Sequence, residues 1–136
     1  MFNAIDIATS GLVAQRVRSN TIAMNIASAE VVDTPEGGPY QRRSVTFSVG
    51  KVAGDRSGAG VHVAEIRKEP LFRFEHDPTN PYAIQEGPMK GYVKMPDINP
   101  IIEMVNLMEA ARAYEANITA VDVSKAMLGS SLRLLA

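Results

Sequence analysis

The 136-residue chain has no cysteine and no tryptophan, and its aromatics amount to four tyrosines and four phenylalanines. The missing thiols exclude disulfides and thiolate metal sites without favouring any compartment. Its two histidines, His62 and His76, fall short of the three or four converging ligands that a metal centre needs, so neither metal nor cofactor is expected. An excess of either charge is missing as well, since 14 basic residues face 15 acidic ones. The N-terminal helical part sums to zero, the middle to plus one and the C-terminal part to minus two. No basic face for nucleic acid or an anionic membrane emerges from that distribution. No run approaches the roughly 18 unbroken apolar residues of a membrane-spanning helix. The first 30 residues also lack the basic n-region and continuous apolar h-region of a cleaved secretory signal.

Helical periodicity is what the chain does have. From Met104, alternating steps of three and four land on Leu107, Ala111, Tyr114, Ile118, Val121, Lys125, Leu128, Leu132 and Leu135. All but Lys125 are apolar or aromatic, the pattern of a coiled-coil seam. Lys125 reads as snorkelling at the stripe's edge or as a register device facing an acidic group on a neighbour. Asn99 and Pro100 suit the N-cap and first helical position, so residues 97–136 are expected to form one long helix. A second stripe, Ile5, Ala8, Leu12, Gln15, Ser19, Ile22, Ile26 and Ala29, predicts a helix within residues 1–32. Gly11 costs that helix about 1 kcal/mol relative to Ala, so it is expected to depend on packing against the C-terminal one.

Between them, residues 33–96 read as a β-rich insert. Thr34-Pro35-Glu36-Gly37-Gly38-Pro39 breaks the first helix. Ser44–Val49 alternates as a half-buried strand, and Val61–Ile66, Leu71–Phe74 and Gly91–Met95 read as three more. Lys51–Gly60 reads as a flexible loop, and Asp77-Pro78-Thr79-Asn80-Pro81 as a rigid turn. The expected architecture is α+β: two long helices pairing as a coiled-coil-like layer, with the insert projecting from one end.

Catalytic groupings are weak. His76 and Asp77 adjoin in a turn, where neighbours point apart, and no nucleophile is marked nearby. Glu103, Glu109 and Glu115 are spread around the helix, and Glu109 with Arg112 reads as a surface ion pair. A long two-helix rod also offers little concave surface for a pocket. The residues therefore point to a self-associating structural protein rather than an enzyme.

Ser10-Gly11-Leu12-Val13-Ala14-Gln15, Arg18 and Asn25-Ile26-Ala27 resemble the N-terminal signature of bacterial flagellar rod and hook proteins. Pro35-Glu36-Gly37-Gly38-Pro39-Tyr40, Gly60-Val61-His62-Val63 and Asp77–Pro81 resemble the FlgC-type proximal-rod branch of that family. So do Gly91–Pro96, Glu103-Met104-Val105-Asn106 and Glu109–Asn117. Ser28 stands where the family usually has Asn. The resemblance implies a non-catalytic periplasmic rod subunit, stacked helically around an export channel to carry torque from motor to hook. It also implies export through the flagellar type III apparatus without a cleaved signal, and contacts with copies of itself and other rod proteins. The expected assembly interface is Ile5, Leu12, Ile22, Ile26 and the C-terminal stripe from Met104 to Leu135. A cytoplasmic coiled-coil export chaperone or adaptor is the alternative, and a hydrolase using His76 and Asp77 a nominal third reading.

Overall fold

The computed structural model describes residues 2–50 and 60–135, with the order α1 (Phe2–Ala27), β1 (Arg42–Val49), β2 (Val61–Glu69), β3 (Phe72–His76), β4 (Tyr92–Pro96) and α2 (Pro100–Leu135). The expected loop at 51–59 lies outside the described residues.

The whole α1 stripe from Ile5 to Ala29 is buried or half-buried, as its period requires. The helix ends earlier than the breaker cluster. Ser28 N–H donates to Met24 O and Ala29 N–H to Ile26 O, tightening the chain into a turn after Ala27. At α2 the cap is as expected: Ile101 N–H donates to Asn99 Oδ1 at 3.0 Å, and Pro100 occupies the first position. With 36 residues, α2 is about 54 Å long.

The helices run antiparallel, and three contacts set their register. Asn25 meets Glu103, Arg18 meets Glu109 at 3.5 Å, and Gly11 lies against Asn117. A Cβ at Gly11 would sit 2.9 Å from Asn117 Nδ2, so this glycine permits close approach in exchange for its helix penalty. Extending that register carries the end of α2 past the start of α1 by about two turns.

The two sheets are separate antiparallel ribbons, β1–β2 and β3–β4. In the first, Thr46 faces Glu65 and Phe47 faces Val63, which leaves Ala64 as a bulge. In β1, Val45 and Phe47 are half-buried as the alternation predicts, but Ser48 is half-buried too and Val49 is exposed. This ribbon does not project from one end of the helix pair. It lies along α1, moored near one end by Asn25 to Arg43 and near the other by Ser10, whose Oγ accepts from Val61 N–H at 3.0 Å. The second ribbon has its own small core, where Val93 and Ala83 are buried. The turn at Asp77 forms as expected, its Oδ1 accepting from both Thr79 N–H and Thr79 Oγ1. Ala29, Tyr40 and Ile98 form a third small cluster where the insert meets the helices.

Candidate assembly surface

The face of α2 turned inward is not the face its apolar stripe suggested. Its buried or half-buried positions are Glu103, Asn106, Leu107, Ala110, Ala113, Asn117, Val121, Ser124, Leu128 and Ser131. Only Leu107, Val121 and Leu128 belong to the expected seam. Met104, Ala111, Tyr114, Ile118, Lys125 and Leu132 are exposed, and nothing is described of the Leu135 side chain. Small residues face α1 because a close helix approach needs them, and the larger side chains are displaced outward. On α1 the expected positions Ile5, Leu12, Ile22 and Ile26 all face inward.

What α2 turns outward is unusually apolar. Ile101, Ile102, Met104, Val105, Met108, Ile118, Val123, Met127, Leu132 and Leu134 are each at least 40% exposed. Single exposed apolar residues are ordinary, but ten on one helix, in two groups either side of Tyr114, mark an interaction surface. Lys125 has no ion-pair partner among the described residues, and Glu109 pairs with Arg18 rather than with Arg112.

Behind this surface lies a polar knot that the stripes did not announce. Asn25 is fully buried, and its amide is saturated. Nδ2 donates to Arg43 O at 2.8 Å and to Glu103 Oε2 at 3.0 Å, while Oδ1 accepts from Arg43 N–H at 2.9 Å and Tyr40 Oη at 3.1 Å. Glu103, 1% exposed, takes two further bonds on Oε1 from Arg42 Nε and Nη2, at 3.0 and 2.7 Å. Arg42 reaches on to Glu69 at 2.6 Å. Hydrogen bonds from Ser44, and then from Arg42, hold the Glu69 carboxyl below the usual Glu range. Burial pushes the Tyr40 hydroxyl up, with Arg43 opposing it. The knot draws its partners from four elements and from the loop before β1, so it fastens α1, β1, β2 and α2 at one point. His76, by contrast, stacks edge-on against Tyr92 at 5.0 Å. No three acidic or histidine side chains converge among the described residues.

Comparison with known proteins gives this geometry its context. Residues 89–134, most of them in α2, match the model of the flagellar basal body rod FlgEFG protein C-terminal family. Flagellar basal-body rod protein FlgC of Borreliella burgdorferi is 39% identical over 99% of this chain and 97% of its own length. The chain belongs to the FlgC family of flagellar basal-body rod proteins. The FlgC proteins of Aquifex aeolicus, at 42% identity over 92% of this chain and 90% of the relative, and of Escherichia coli O6:H1, at 40% over 98% and 97%, agree. The resemblance read from the motifs is therefore correct, and so is the structural basal-body role it implied. Nothing supports the chaperone or adaptor alternative. Among the described residues no helix is long and apolar enough to cross a membrane.

Proposed function

We propose that the chain is a non-catalytic subunit of the proximal rod, stacked helically with copies of itself and with other rod proteins around an export channel. In this reading it sits in the periplasm, reaches it through the flagellar type III apparatus without a cleaved signal, and carries torque from motor to hook. Its paired helices form a coiled-coil-like layer, and residues 33–96 are carried outside it. The observation that supports this most directly is the exposed apolar series along α2. A helix about 54 Å long with that surface is a subunit awaiting neighbours. The total area agrees. The chain exposes 9262 Å², against about 6,900 Å² for a compact monomer of its mass. Head-to-tail contacts that do not close generate filaments, and close-packed axial helices supply stiffness.

Both stripes contribute to the proposed interface: Ile5, Leu12, Ile22, Ile26, Leu107, Val121 and Leu128 by shaping the helix pair, and Met104, Ala111, Tyr114, Ile118, Lys125 and Leu132 by meeting neighbours; Leu135 is assigned to the interface from the sequence stripe alone. Ile118 separates the two duties, because it is exposed in the subunit. Ile118→Asp should leave the isolated chain folded, with an unchanged circular-dichroism melt. It should abolish incorporation into purified basal bodies and stop swimming, since a buried unpaired charge is strongly unfavourable. Normal basal bodies and motility with this substitution would refute the proposed surface.

A further inference from the structure

Arg43 is held from several sides, yet its guanidinium has no carboxylate partner among the described residues. Asn25 clamps its backbone N–H and C=O. The guanidinium lies over the Tyr40 ring, 5.7 Å from its centre, and the Tyr40 hydroxyl is tied to the same Asn25. Arg43 Nε is buried and makes no hydrogen bond. Nε is closed off from solvent, so a partner entering the cleft would have to meet the outer nitrogens of the guanidinium.

This side chain lines a cleft of about 340 Å³ between the loop from Thr34 to Tyr40 and the base of the β1–β2 ribbon. The loop is preset. Thr34 N–H and Oγ1 both donate to Gly38 O at 3.0 Å, Gly37 N–H donates to Thr34 O at 2.8 Å, and Gly37 and Gly38 take φ of +87° and +82°. The cleft's second cation, Lys68, is bonded to Glu36, whose carboxylate also feels Arg43 more weakly, so the three charges leave the cleft one net positive charge, centred on Arg43. Pro35, Pro39 and Tyr40 supply apolar wall.

We infer that this cleft docks an acidic side chain, Asp or Glu, presented by a peptide segment of a neighbouring protein, with Arg43 as its anchor. One uncompensated positive charge is too little for nucleic acid or a lipid surface, which are held through several anionic contacts. It suits a single carboxylate, which the planar guanidinium fork can take through two parallel bonds. Arg beside Tyr in a preformed recess is also the composition of an interface anchor. Only the neighbour's identity as a rod subunit rests on the proposed function; the cleft chemistry does not.

The test follows the ¹⁵Nε–H resonance of Arg43 in the purified chain during titration with the blocked tripeptide acetyl-Gly-Glu-Gly-amide. Its Gln counterpart and inorganic phosphate are the controls. A saturable shift of this resonance and of the Gly37 and Gly38 backbone amides with the Glu peptide alone is the expected result, and in Arg43→Lys the two glycine amides should no longer respond while the melt is unchanged. No saturable shift, or saturation by phosphate at lower concentration than by the peptide, overturns the inference. In cells, Arg43→Glu should cut swimming by about tenfold or more. Second-site suppressors should exchange an acidic residue of another rod protein or another copy for Lys or Arg. Wild-type swimming with Arg43→Glu refutes the cleft alone if Ile118→Asp still blocks assembly, and refutes the proposed α2 surface with it if Ile118→Asp also assembles.

Discussion

Truncating Glu103 to Ala should be among the most damaging single changes to the isolated chain. Its carboxylate is 1% exposed and takes three hydrogen bonds, two from Arg42 and one from Asn25. Removing one member of a buried charged pair costs about 3–5 kcal/mol, mostly because the other is left unmatched. Here Arg42 keeps Glu69 and a quarter of its side chain remains in solvent, which lowers the figure. The buried Asn25 amide loses one of its two acceptors and keeps the other, Arg43 O. The net expectation is a loss of about 3 kcal/mol, a large share of the 5–15 kcal/mol typical of a domain. In urea unfolding, with a slope of about 2 kcal/mol/M, the midpoint should fall by about 1.5 M. Replacing Arg42 and Glu103 together by Met should recover part of that loss, because no deeply buried charge is left unmatched, while the partly exposed Glu69 loses Arg42 and Asn25 stays one acceptor short. A shift under about 0.5 kcal/mol for Glu103→Ala, or strict additivity of the two replacements, would refute the idea that this knot fastens α2 to the ribbon.

Two further outcomes are expected. The folded Glu69 carboxyl titrates below its ordinary value, so its contribution is complete above that value and is lost as pH falls through the folded one. Wild type should accordingly lose more stability than Glu69→Gln between about pH 6 and about pH 3.5, and equal acid losses in urea melts would count against the Ser44 and Arg42 bonds. Gly60→Ala should destabilise by about 1–3 kcal/mol, because its φ is +133° and a Cβ there would sit 2.7 Å from Ser10 Oγ. A melting temperature matching wild type would mean that the Ser10–Val61 mooring is not holding the ribbon.

The α1 stripe was legible although Gln15 and Ser19 sit within it and Ile7, Val13 and Met24 lie exposed outside it, because its small and apolar positions fit one helical phase. α2 was harder. It is apolar around so much of its circumference that a 3-4 step can be started at several residues, and the one through Met104 selected the outward face. The inward face is marked by Ala110, Ala113 and Asn117, small or polar residues that hydrophobic periodicity discards. Their signal was steric, and the facing Gly11 was its visible half. Glu103 was legible as a motif residue and as one of three spread carboxylates, but its burial depends on Asn25 and Arg42, distant in sequence. The ribbon's place along α1 rests on single hydrogen bonds from Ser10 and Asn25, which no pattern of strands could announce. Pro100 and Asn99, whose effect is local, were read correctly.

The mooring of the first ribbon has a geometric consequence. With β1–β2 fastened along α1 near both of its ends, the helix pair is clothed on one flank and bare on the other. In the rod proposed above, a body built thicker on one flank and repeated side by side would tilt each copy against the last and bend the row. On that reading the width of the clothed flank, set by an asparagine and a serine on α1, bears on the radius of the wall.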